Sequence, residues 1–180
     1  MSGLASSVLS DLYHLPKDRD LLLSESEDSF LQPLGYTIYR TCYTPQSDEA
    51  WEALKRELSQ TFHDAIANAD SSSEIVQKLL SLVKLDFRSD PNLLNGLDIH
   101  QVREIYMSST GSEPPNKHKA WRRIFLLADE EVLSGELNQP IKYDAHIKYV
   151  QSDFDAPDLT VKRREPIRYF GWMKMRLWSL

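Results

Sequence analysis

Two spacings of apolar residues alternate along the chain and divide it into helices and strands. The clearest helical stripe is Trp51, Leu54, Leu58, Phe62, Ala65 and Ile66, at steps of three and four residues, which predicts one long amphipathic helix. Ser47 is placed as its N-cap, with Asp48 and Glu49 in the first turn, where the helix dipole favours anions. Ahead of it, Tyr36 to Tyr43 is rich in Tyr, Thr and Ile and carries bulk on both faces, as expected of a central strand covered on both sides. A second helix follows through Ile75, Val76, Leu79, Leu80 and Val83, with a capping box read at Ser71 and Glu74. A third begins at Asp98, with Gln101 three residues on and Ile99, Val102, Ile105 and Tyr106 on its buried side.

The later half turns to strands. Arg123 to Asp129 and Ala145 to Ser152 are apolar runs, with Asp129 capping a short helix through Leu133 that Gly135 ends. From Gly171 to Trp178, Met173, Met175 and Leu177 alternate with Trp172, Lys174, Arg176 and Trp178, a period of two that predicts a final strand. Leu85 to Asn92 reads as a loop because Pro91 discourages helix before it. Helices group early and strands late. The pattern therefore predicts an α+β fold, with an antiparallel or mixed sheet of about four strands and helices mainly on one face. Residues 1–33, rich in Ser, Asp and Glu, read as an acidic, partly disordered arm. Within the arm, Val8–Tyr13 is a candidate short helix capped by Ser6 or Ser7; residues 34–180 form a single domain.

At 180 residues and 41% hydrophobic, the chain has enough apolar material for a core. A net charge of −6 disfavours a nucleic-acid or anionic-membrane binder, which needs a positive surface. No apolar run approaches the length of a membrane span, and the N-terminus lacks the basic and apolar regions of a secretory signal. An intracellular, cytoplasmic location is expected. One cysteine, Cys42, excludes a disulfide within the chain and reads as a small buried residue.

Candidate chemistry is sparse. There is no phosphate-cradling glycine loop, no nucleophile elbow and no His-Glu-x-x-His. The five histidines are scattered without ligand spacing, so neither a metal nor a cofactor is expected. Two constellations stand out. Trp172, Lys174, Arg176 and Trp178 share one face of the final strand, and Arg40 and Tyr36 are candidates to join them. If helices cover the methionine face, this aromatic and basic row looks outward as an interaction surface. The second is His100, which Asp98 or Asp90 could orient as a general base while Arg88 or Arg103 holds an anionic substrate. The competing reading makes Asp98 a helix cap and pairs Arg88 with Asp86 or Asp90 to pin a loop.

Several blocks carry a resemblance: Gly35–Trp51 (GYTIYRTCYTPQSDEAW), Leu85–Asp90, Leu97–Arg103, Phe125–Leu133 and Tyr169–Met175. Together they resemble a large family of uncharacterised fungal proteins. The resemblance implies no reaction. The sequence thus points first to a non-enzymatic interaction module, acting through an open sheet face on a second copy or another protein. The alternative is a small-molecule acid–base enzyme of lyase, isomerase or cyclase type, with a pocket between helices and sheet.

Overall fold

The structure, a computed structural model, describes residues 4–13, 30–69, 72–115, 123–134, 145–155 and 169–177. Its organising element is β1 (Thr37–Arg40), buried at every position. β2 (Asp86–Arg88) pairs parallel with it on one side, with Ile38 opposite Phe87. β3 (Ile124–Ala128) pairs parallel on the other, with Tyr39 opposite Leu127. β4 (His146–Gln151) and β5 (Trp172–Arg176) then add antiparallel to give a five-stranded mixed sheet, β2-β1-β3-β4-β5.

Six helices complete the described chain: α1 (Leu4–Leu12), α2 (Pro45–Ala67), α3 (Ser73–Leu82), α4 (Pro91–Leu94), α5 (Ile99–Ser108) and α6 (Glu130–Ser134). The α+β class and the mixed sheet are as the sequence pattern predicts, with five strands rather than about four. The larger helical layer does lie on one face. There α2 and α6 bring Trp51, Leu54, Leu58, Val132 and Leu133 onto Ile38, Leu126 and Ile147. The other face is also covered, because α5 and α4 set Val102, Tyr106 and Leu94 against Tyr39, Phe125, Leu127 and Val150. Parallel pairing explains this. Each parallel partner of β1 needs a crossover, and the two crossovers take opposite faces. A third cluster joins α1 to α3 through Ala5, Leu12 and Leu79, with Ile66 from the end of α2. Among the described residues no helix is long and apolar enough to cross a membrane.

Local signals decide several boundaries differently from the sequence reading. The N-cap of α2 is Thr44, not Ser47: the Thr44 side chain accepts the Ser47 N–H, and Pro45 occupies the first turn, where a missing donor costs nothing. α3 starts after Ser72 without a side-chain cap, and Ser71 lies outside the described residues. The predicted loop at Leu85–Asn92 contains β2 and the Asp90-capped start of α4. Three residues are too few to show a period. The capping box of α5 is present as read, with Asp98 accepting from Gln101 and Gln101 accepting from Asp98. Cys42 is buried. The candidate helix near Val8 begins earlier, at Leu4. Gly135 and the acidic run at Ser24–Ser29 lie outside the described residues.

Arg40 is a correction of a different kind. It shares the α2 face of β1 with Ile38 and is 5% exposed, so it takes no part in an outward row. Its Nε donates to the Cys42 carbonyl at 2.8 Å and its Nη2 to Ser47 Oγ at 2.9 Å. Asp48 closes an ion pair, and the guanidinium lies 4.6 Å from the Tyr43 ring centre. The strand exit and the first turn of α2 are therefore knotted through one side chain. Tyr36 lies on the same face, edge-on to Phe62 and Tyr149. Replacing Arg40→Met is expected to cost about 2–3 kcal/mol in urea unfolding, since a buried carbonyl and a hydroxyl lose their charged donor. Asp48→Asn should cost under about 1 kcal/mol, because that carboxylate is largely solvated. Equal losses for the two variants would contradict this assignment.

Candidate functional site

The parallel strands β1 and β3 end side by side, with the Thr41 N–H on the Ala128 carbonyl at 3.0 Å. The turn after α4 is tied to the same edge, Gly96 N–H donating to the Thr41 carbonyl at 2.8 Å. The carboxyl edge of parallel strands is where open α/β sheets present crevices, since the connections diverge there to opposite faces. Two adjoining clefts open at this edge. One, ≈ 490 Å³, is lined by Leu97, Ile99, Leu127, Phe154, Phe170 and Trp172 together with Asp98, His100, Arg103 and Asp129. The other, ≈ 510 Å³, runs past Thr41–Thr44 and Asn95 and shares Leu97, Asp98 and Asp129 with the first.

Arg103 forms one wall. It is 9% exposed on the face of α5 that also carries Val102 and Tyr106. Nε donates to the Gln151 carbonyl and Nη2 to the Gly171 carbonyl, each at 3.0 Å. The guanidinium lies 5.6 Å from the centre of the Phe154 ring. Gly171 makes this possible: a Cβ there would stand 2.2 Å from Phe154 and 2.5 Å from Arg103 Nη2, and its φ of +77° already favours glycine. Burial lowers the Arg103 pKa from its ordinary value.

Asp129 and Trp172, which also line the cleft, are tied to a charge network. Lys148, buried on β4, pairs with Asp129 and with Glu131 at 2.9 Å, and its ammonium sits 5.2 Å from the Trp172 ring centre. Lys174 on β5 pairs with the same Glu131. Burial opposes the Lys148 charge, but hydrogen bonds to Asp129 and Glu131 outweigh it and raise the pKa. Hydrogen bonds from Lys174 and then Lys148 hold Glu131 down at about 2.

The two sequence-read constellations meet only in part. Trp172 from one, and Asp98, His100 and Arg103 from the other, line the same cleft. Asp98 does not orient His100; its carboxylate accepts the Gln101 N–H at 2.9 Å. Arg88 is absent from the cleft. It pairs with Asp86 at 2.8 Å, donates to the Tyr39 hydroxyl at 3.1 Å and holds the Ser112 carbonyl at 2.8 Å, so it pins a loop. That tyrosine is pushed up to about 12, mainly by burial. The outward row is divided: Trp172 is half-buried against the α5 cluster, Lys174 and Arg176 are exposed, and Trp178 lies outside the described residues. Helices cover the methionine face only in part: Leu177 is buried in the α2-side cluster, while Met173 is 45% exposed.

Of the remaining lining groups, Asp129 was legible only as a cap and Phe154 stands alone in a polar stretch. Arg103, already a candidate to hold an anion, carries a further signal: it lies four residues after Ile99 and three before Tyr106, inside the apolar stripe of α5. A charge on a buried stripe marks a built environment. Among the described residues no three His, Cys, Asp or Glu side chains cluster as metal ligands. No family model matches the chain, and no curated protein or solved structure matches it.

The Glu131 bridge gives a pH test. The unfolded carboxylate takes its proton near its ordinary value, and the folded one only near 2, so this stabilisation is complete above that ordinary value and drains away as pH falls towards 2. Glu131→Gln is expected to cost about 1 kcal/mol at pH 7, since half-exposed bridges are screened. The gap in urea midpoints should close by pH 2. A gap independent of pH would contradict the network.

Proposed function

We propose that this protein binds a small molecule in the cleft between α5 and the carboxyl edge of β1 and β3. The observation that carries the reading is one ≈ 490 Å³ concavity with an apolar and aromatic lining and a few converging charged groups. Binding sites for small molecules have this make-up. The acid–base enzyme reading draws less support, because no hydrogen bond joins Asp98 to His100 and Arg88 is committed to the Ser112 loop. A binding role without a positioned general base accords better with the geometry. Fragment screening by amide and indole NMR tests it: shifts should gather on Ile99, Leu127 and Trp172. Shifts confined to other surfaces would refute it.

A second reading, self-association along β5, is favoured by a separate observation. Met173 is 45% and Phe170 61% exposed beside an edge strand, and edge strands readily pair with further chains. Sedimentation should then show a concentration-dependent dimer that Met173→Lys abolishes. A wild-type protein that stays monomeric at about 100 μM, where only contacts weaker than about 5–6 kcal/mol remain unpopulated, would remove this reading.

A further inference from the structure

We propose that the cleft takes a ligand with a compact anionic group, a carboxylate or a phosphate, on a flat apolar body, and that Arg103 receives the anion. This rests on the small-molecule reading above and adds the chemistry of the ligand. The argument begins with charge balance. Arg40 and Lys148, the other buried cations among the described residues, each face a carboxylate: Asp48 for the first, Asp129 and Glu131 for the second. Arg103 faces none among the described residues. Its two hydrogen bonds go to neutral carbonyls. A guanidinium keeps its charge in proteins, so a buried one without a counter-ion is electrostatically incomplete.

Its geometry leaves room for a partner. A guanidinium is a planar fork with five N–H donors. Nε and Nη2 are the atoms bonded to Gln151 and Gly171, and the Nη1 edge makes no hydrogen bond to the described residues, while the side chain lines the cleft. Fork geometry matches carboxylate and phosphate oxygens, which sets these anions apart from a point charge such as a halide.

The lining carboxylates do not make this a cation site. Asp129 is neutralised by Lys148, and Asp98 is engaged with the backbone at the start of α5. Arg103 is thus the cation of the cleft lining without a carboxylate paired to it among the described residues. The apolar body follows from the rest of the lining. Arg103 lies against the Phe154 ring and Lys148 against that of Trp172. Phe170, 61% exposed at the rim, and Leu127 and Ile99 supply further surface for a flat group.

Four probes of one shape test the assignment: benzoate, phenyl phosphate, benzyl alcohol and benzylamine, titrated while following the Trp172 indole N–H. At least one of the two anions should bind about tenfold more tightly than the alcohol, the scale of one charge-assisted hydrogen bond, with the amine weakest. Arg103→Lys, which keeps the charge but loses the fork, should bring the affinity of the anions close to that of the alcohol measured on the same variant. If the alcohol or the amine matches both anions on the wild-type protein, the anion assignment is overturned while the cleft remains a binding site. If no probe moves Trp172, both readings fall. Should Arg103→Lys not fold, the wild-type ranking alone decides.

Discussion

A buried guanidinium shared between a helix and two strand ends is the constraint on which this architecture turns. Arg103 leaves α5 and bonds the last carbonyl of β4 and the carbonyl just before β5. Taking such a group out of water costs several kcal/mol, and each charge-assisted hydrogen bond returns about 1.5–3 kcal/mol. The balance is close, so the geometry around it must be tightly kept. Gly171 keeps it by having no Cβ, and Phe154 by covering the guanidinium plane. The cleft is the space left in front of this joint.

The rest of the fold supplies the floor. β1 is buried on both faces and paired on both edges, so its two crossovers take opposite sides and leave a carboxyl edge open between them. On the α2 side Arg40 locks that edge to the helix, and Asp48 neutralises it. On the α5 side Lys148 does the equivalent with Asp129 and Glu131. Two of the three buried cations among the described residues thus have a carboxylate partner. The third, Arg103, lines the cleft and bonds two neutral carbonyls.

How much of this was legible in the sequence depends on the range of the signal. Patterns closed within a few residues were readable: the Asp98–Gln101 capping box, the apolar run of β3, the alternation of β5 and the stripe of α2. β2 was not, because Asp86-Phe87-Arg88 becomes a strand only by pairing with β1 nearly fifty residues earlier. The second covered face of the sheet was hidden for the same reason, since it follows from parallel pairing. Thr44 rather than Ser47 as the cap of α2 turned on Pro45, a local signal that an acidic first turn obscured. For the candidate site, Asp98, His100, Arg103 and Trp172 were legible as unusual residues, but their meeting in one cleft was not. Arg40 and Arg88 were drawn towards functional roles by their charge, whereas their neighbours hold them as structural ties.

The central claim is that the Arg103 guanidinium is held by two backbone carbonyls and so shapes the cleft. Nitrogen-detected NMR of the arginine side chains tests it directly. The account predicts an Arg103 Nε–H that exchanges slowly with solvent at neutral pH and shows a scalar coupling across its hydrogen bond to the Gln151 carbonyl. An Arg103 Nε–H that exchanges as fast as that of the exposed Arg56, with no such coupling, would contradict it.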